Sequence, residues 1–79
     1  MEQPSAPLSI FSSRDGELEV TSVLDTDSNV KRLCELGICP GKIISIFRSG
    51  NPSIIKIGES RFALSEMFLA SIWVRPSFK

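Results

Sequence analysis

Short segments in which apolar and polar residues alternate recur along this chain, and a period of two predicts β-strands. In residues 17–24, Leu18 and Val20 fall on one face while Glu17 and Glu19 fall on the other. Alternation and β-branched residues predict four more short strands, over residues 42–48, 53–57, 60–63 and 71–74. The chain is therefore expected to be mainly β.

A helical period replaces this alternation over residues 29–36. Val30, Leu33 and Cys34 have the i, i+3, i+4 spacing of one helix face, which predicts a short amphipathic helix. The candidates for its N-cap are Asp27, Ser28 and Asn29, whose side chains can accept hydrogen bonds from the first free amides. We favour Ser28 among the three.

The end of this helix is predicted from a glycine and a proline. Gly37 follows Leu36, and glycine adopts the positive φ with which many helices end. The next apolar residue, Ile38, can then fold back onto the last turn. Pro40 cannot continue a helix and turns the chain toward the strand that begins at residue 42.

The elements together predict a small antiparallel β-barrel of about five strands, with one short α-helix after the first strand. A helical turn over residues 64–70, capped by Ser65, precedes the last strand, and another over residues 8–11 closes one end. Residues 1–7 are predicted to be a disordered tail and residues 8–79 a single domain. The predicted lining consists of Leu33, Leu36, Ile38, Ile44, Ile46, Ile55, Ile57, Ile72 and Val74.

Charge and composition restrict the function. Nine basic and nine acidic side chains balance in 79 residues, which argues against a nucleic-acid or anionic-membrane surface. The chain has no histidine, so the commonest general base is missing and an enzyme is not expected. Because neither a signal peptide nor an apolar run of ~20 residues is present, we expect a cytoplasmic protein.

Two cysteines, Cys34 and Cys39, are the candidate metal ligands. Their C-x4-C spacing is not that of a zinc knuckle, and the chain has no second pair of Cys or His ligands to complete a tetrahedral site. A reducing compartment also disfavours a disulfide between them. We therefore favour reduced thiols in or near the core, with a soft-metal or redox role as the alternative.

The apolar residues exceed what so small a barrel can bury. Those left without an assigned place in the core are Ile43, Phe47, Ile54, Phe62, Phe68 and Trp73. Short bent strands and the helical pieces can cover most of them. Alternatively, some form an exposed apolar patch, which usually marks a protein partner.

One stretch resembles a known family. The run Arg32-Leu33-Cys34-Glu35-Leu36-Gly37-Ile38-Cys39-Pro40-Gly41 is similar to the RLxELGxxPG signature of the FeoA family, small SH3-like proteins that accompany the bacterial ferrous-iron transporter FeoB. The endings Arg61-Phe62-Ala63-Leu64 and Ala70-x-Ile72-x-Val74 are also similar to this family. Residues 12–15 lengthen the first loop, and Ser65 replaces a frequently basic residue.

The resemblance implies an SH3-like barrel and a cytosolic, non-enzymatic accessory of ferrous iron uptake. Such a protein docks on the cytoplasmic GTPase region of FeoB, needs no cofactor and meets the membrane only through the transporter. The signature residues Arg32, Leu33, Leu36, Gly37, Pro40 and Gly41 then set the shape, and the candidate partner contacts are Phe47, Asn51, Pro52 and Ile54. The alternative is a metal- or effector-binding domain related to the C-terminal domain of iron-dependent repressors.

Overall fold

The computed structural model describes residues 5–77, which form one six-stranded antiparallel sheet, two α-helices and two 3-10 turns. The strands are β1 Ala6–Pro7, β2 Glu17–Val23, β3 Ile43–Arg48, β4 Ser53–Ile57, β5 Ser60–Leu64 and β6 Ile72–Pro76. The helices are α1 Asp27–Glu35 and α2 Glu66–Ser71, and the 3-10 turns are Leu8–Ile10 and Ser13–Asp15. The fold is mainly β, small and SH3-like, as the sequence predicted.

The strand order in the sheet is β1-β6-β2-β3-β4-β5. Register shifts interrupt β2 between Val20 and Ser22 and β3 between Ile46 and Arg48, and such bulges increase the local bend and twist of a strand. The sheet therefore curves around the core, but β1 and β5 do not pair and the barrel stays open between them.

The first strand was not predicted. Ala6 and Pro7 pair with Val74 and Trp73 of β6, so two residues of the predicted tail belong to the sheet and raise the strand count to six. A two-residue strand carries no alternation that a pattern search can find. The part of the tail prediction that concerns residues 1–4 lies outside the described residues.

The core contains most of the predicted lining together with residues from the turn at 8–10 and from α2. Its buried members are Leu8, Leu18, Val20, Leu33, Ile38, Ile44, Ile46, Ile55, Leu64, Leu69, Ile72 and Val74. Leu36 and Ile57 are only partly buried. Because α2 packs against the turn at Leu8–Ile10, Leu8 and Leu69 close one end of the curved sheet.

The start of the first helix differs from expectation. It begins at Asp27, and its N-cap is Thr26, whose hydroxyl accepts from the Asn29 N–H at 3.3 Å. The favoured cap, Ser28, lies inside the first turn, where an exposed serine has no cap to make. Thr26 is as good a capping residue, and only the tertiary structure decided which of the neighbours took the position.

Candidate partner-binding surface

The chain turns through residues 33–41, which we call the corner, by a Schellman motif. Gly37 has φ +104°, the Ile38 N–H donates to the Leu33 carbonyl at 2.9 Å, and the Gly37 N–H donates to the Cys34 carbonyl at 3.0 Å. These are the two reverse hydrogen bonds that satisfy the last carbonyls of a helix. Leu33 and Ile38 are both buried, so the corner fastens α1 to the core.

Two further contacts fix the corner against the sheet. A Cβ added to Gly37 would stand 3.3 Å from Cγ2 of Ile57, closer than ordinary packing allows. Gly41 has φ +93°, and its N–H donates to the Val20 carbonyl of β2 at 2.8 Å. The predicted role of these glycines in chain geometry is therefore explained by positive φ and close approach, while Arg32 and Pro40 lie exposed on the outside of the corner.

The two cysteines lie in the same corner but differ in exposure. Cys34 is exposed and Cys39 is partly buried, and both are free thiols. The prediction that Cys34 shares the buried face of α1 is wrong, because Leu33 alone is buried in that helix. A hydrogen bond with Cys39, followed by desolvation, raises the pKa of the Cys34 thiol above its usual value. A raised pKa lowers the thiolate fraction that binds metals.

The outer side of β3, β4 and β5 presents a different surface, which we call the basic face: Phe47, Arg48, Ile54, Lys56, Arg61 and Ala63. Residues paired across an antiparallel sheet share a side, and Lys56 pairs with Arg61 while Ile54 pairs with Ala63. The bulge in β3 sets both Phe47 and Arg48 opposite Ile54. Their neighbours Ile46 and Ile55 face the core.

The basic face combines exposed apolar surface with cations that have no acidic partner in the described part of the chain. The Phe47 side chain is 48% exposed, and Cζ of Arg61 lies 4.1 Å from the centre of its ring. Among residues 5–77 the ion pair is on another part of the sheet, where Arg75 Nη2 lies 3.0 Å from Glu19 Oε1. The guanidinium of Arg61 is therefore held by an aromatic ring rather than by a carboxylate.

The predicted partner contacts fall into two places. Phe47 and Ile54 lie on the basic face, whereas Asn51 and Pro52 are exposed in the loop between β3 and β4. That loop, with a cis peptide between Asn51 and Pro52, is closed by Ser53, whose hydroxyl donates to the Gly50 carbonyl at 2.8 Å. The loop borders a half-open pocket of about 430 Å³ lined by Leu8, Ser9, Phe11, Ile46, Ser49, Gly50, Asn51, Ser53, Glu66 and Leu69.

Sequence reasoning missed the cations of the basic face. Net charge conceals them, because acidic and basic residues balance over the whole chain. Between residues 36 and 65, however, the charged side chains are the cations Lys42, Arg48, Lys56 and Arg61 and the single carboxylate Glu59. Charge counted by segment rather than by chain gives the signal that would have found this surface.

Within residues 5–77 no three Cys, Asp or Glu side chains gather closely enough to hold a metal ion together. No helix of that part has the length and apolar character that crossing a bilayer requires.

Comparisons with known proteins agree with the fold and the corner. A search of curated proteins found no match. A crystal structure of an iron uptake regulatory protein (FeoA) is similar over 91% of this chain and 97% of that chain, with a TM-score of 0.80 and 28% sequence identity. The family model of the FeoA domain matches residues 13–76, which contain the corner and the basic face. This chain therefore belongs to the FeoA domain family.

Proposed function

We propose that this chain is a non-enzymatic accessory of ferrous iron uptake, which acts in the cytoplasm by binding the GTPase region of a FeoB-type transporter. Membership of the FeoA family connects the chain with ferrous iron transport. The observation that carries the binding proposal is the basic face, where a 48% exposed Phe47 lies beside cations that have no carboxylate partner within residues 5–77. An apolar centre with a charged surround is typical of a protein-binding surface.

Similarity to the iron uptake regulatory protein (FeoA), which covers 97% of that chain, supports the accessory function. The effector-binding alternative is favoured by one feature, the pocket of about 430 Å³ beside the β3–β4 loop. Its lining mixes apolar side chains with the carboxylate of Glu66.

The direct test is binding of the purified chain to the soluble GTPase region of FeoB from the same organism, measured by interferometry. We expect saturable binding that weakens when NaCl is raised, because exposed cations take part. GTP hydrolysis, measured with and without the chain, then separates activation from scaffolding. No binding at a concentration of about 100 μM would contradict the proposal.

Cells give the second test. Deletion of the gene is expected to lower uptake of radioactive ferrous iron under anaerobic, ferrous-only conditions, and the wild-type gene on a plasmid should restore it. A Phe47→Ala, Ile54→Ala double variant should restore it less well, since it removes the apolar centre of the face. A Met67→Ala variant is the matched control, because Met67 is 77% exposed and lies on α2, away from that face. Normal uptake in the deletion strain would contradict a role in uptake.

A further inference from the structure

We propose that the free edge of β5 and the basic face together bind an extended acidic segment of a protein partner, which adds to the sheet as a further strand. The inference rests on the proposed function only where it takes FeoB as the protein that carries this acidic segment. Its physical content is a backbone template beside a row of cations, and both belong to this chain.

The backbone of β5 supplies the template. Within residues 5–77 this strand pairs with β4 alone and forms one end of the sheet. Ile57 pairs with Ser60 across a two-residue turn, and the closing pair of such a hairpin is hydrogen-bonded. Pairs alternate in an antiparallel ladder, so the N–H and C=O groups of Arg61 and Ala63 point away from β4. An added strand can form its backbone hydrogen bonds with these groups.

The edge strand at the opposite end of the sheet, β1, offers fewer backbone groups for pairing. There β1 contains two residues, Ala6 and Pro7, and proline has no N–H to donate. In contrast, β5 contains five residues, and Arg61 and Ala63 are both exposed. The sheet is therefore extended more favourably at β5 than at β1.

Side chains of the basic face specify the charge of the added strand. A residue that pairs beside Arg61 places its Cβ about 5 Å away on the same side of the sheet. Arg61 Cζ lies over the Phe47 ring and no carboxylate of residues 5–77 pairs with this guanidinium, so its N–H groups are able to bind a carboxylate in a bidentate manner. Lys56, the neighbour of Arg61 on β4, adds positive potential within the Debye length of ~10 Å. Glu17 of β2 lies on the same side of the sheet near Lys56, but it is three strands from β5 and offsets the potential at Arg61 only in part.

The apolar residues of the basic face also select an apolar side chain on the added strand. Ala63 is small and exposed, and it pairs with Ile54 of β4. An apolar side chain on the added strand next to Ala63 therefore lies on the same side of the sheet as Ile54, with only the small Ala63 side chain between them. The segment that fits best is an extended one in which a carboxylate and an apolar residue are two positions apart.

A pair of model peptides tests this inference without FeoB. The isotope-labelled chain is titrated with the acetylated, amidated hexapeptide Thr-Glu-Thr-Val-Thr-Thr, which has Glu and Val two positions apart on one side, and, as the matched control, with Thr-Lys-Thr-Val-Thr-Thr. We expect saturable NMR shifts at the amides of Arg61 and Ala63, with binding of the acidic peptide about tenfold tighter than that of the basic one. Equal affinities, or shifts confined to other strands, would overturn the proposal.

Substitutions at the edge separate backbone pairing from charge. Ala63→Pro removes an N–H that points away from β4, so the existing ladder stays intact, and we expect roughly tenfold weaker binding of the acidic peptide from a lost strand hydrogen bond. Ala63→Ser keeps the N–H and should bind as the wild type does. Unchanged affinity in a folded Ala63→Pro variant would overturn strand addition.

Charge reversal provides a test that does not depend on tolerance of proline. An Arg61→Glu variant should bind the basic peptide more tightly than the acidic one, because the charge of the position selects the partner. A Lys31→Glu variant, which changes an exposed residue of α1, should keep the wild-type preference. A wild-type preference in Arg61→Glu would contradict the inference. Single-stranded dT8 is a further control, and shifts at Arg61 and Ala63 equal to those with the acidic peptide would point to a general anion site instead.

The GTPase region then distinguishes the two proposals. If it binds the wild type and the Ala63→Pro and Arg61→Glu variants equally, the accessory function stands and the inference is wrong. If it binds none of them while the peptides behave as expected, the acidic segment belongs to another partner and the FeoB proposal is wrong. Loss of binding in both variants, with full binding by Ala63→Ser, supports both proposals.

Discussion

The corner and the basic face show two different reasons for the presence of a residue in a small protein. In the corner, each unusual residue has a local cause, since Gly37 requires its positive φ and approaches Ile57 closely. On the basic face, Arg61 and Lys56 have no carboxylate partners among the described residues, and Phe47 leaves half of its side chain in water. Residues that the fold requires can thus be told from residues that it leaves available for a partner.

The largest expected effect is at the core side of the corner. Leu33→Ala should lower the free energy of unfolding by about 3 kcal/mol, because it opens a cavity beneath α1 where the side chain is 1% exposed. Thermal and urea unfolding measure the loss. Cys34→Ser, at the exposed position next along the helix, is the control and should leave the melting midpoint unchanged. Equal losses of stability in Leu33→Ala and Cys34→Ser would contradict the burial of Leu33 and the exposure of Cys34.

Gly37→Ala should cost about 2 kcal/mol, because a Cβ at φ +104° is strained and meets Ile57 at 3.3 Å. Gly58→Ala is the matched control, since Gly58 has φ +59° but no atom near the added Cβ. That variant should cost about 1 kcal/mol from backbone strain alone. Urea unfolding gives both values, and a smaller loss at Gly37 than at Gly58 would show that packing on Ile57 does not matter.

Thr26→Ala should cost about 1 kcal/mol, because it removes the acceptor for the Asn29 amide at the start of α1. A domain of this size then melts roughly 4–8 °C lower. Ser28→Ala changes an exposed residue inside the first turn and should melt as the wild type does. A lower melting midpoint in Ser28→Ala but not in Thr26→Ala would show that Ser28 is the N-cap.

The same helix start should make stability depend on pH. The side chain of Asn29, the Thr26 N–H and the Ser71 hydroxyl all donate to Asp25 and lower the pKa of its carboxyl group. A lowered folded-state pKa stabilises the protein above the unfolded value of about 3.9, and this contribution is lost as the pH falls further. The difference in melting midpoint between wild type and Asp25→Asn should therefore shrink below about pH 4. A constant difference from pH 3 to 7 would contradict this.

Arg61→Gln should have the smallest effect on stability, about 0.5 kcal/mol, because the protein loses only an exposed cation–π contact with Phe47. A cost as large as that of Gly37→Ala would mean that the basic face serves the fold, and the comparison with the corner would fail. Calorimetry of the two variants in the same buffer gives the answer.

Much of the fold follows from local patterns. Alternation located β2, β3, β4 and β6 to within a few residues, and Gly37 with Ile38 predicted the motif that ends α1. The errors lie where local signals are ambiguous. Thr26 and Ser28 are both good caps, and Val30, Leu33 and Cys34 share a helix face of which the protein buries only Leu33. A rotation of about a quarter turn around the helix axis decides which residue is buried, and packing against the sheet sets that rotation.

The candidate surface was predicted only in part. Phe47 and Ile54 were named as apolar residues in excess of the core, and they lie together on one side of the sheet. Their association with Arg61 depends on the β4–β5 register, which pairs Ile54 with Ala63 and Lys56 with Arg61. Register joins residues on different strands, five or more positions apart in these pairs, and a pattern read along one strand does not contain it.

The sequence by itself determined the mainly β character, the helix after the first long strand and the direction change at Gly37, because each depends on the backbone preferences of a few neighbouring residues. The tertiary structure decided that Ala6 and Pro7 join the sheet, that β5 remains an edge and that three cations share one face. Those features arise from hydrogen bonds and packing between distant segments, whose free energy depends on the folded chain as a whole.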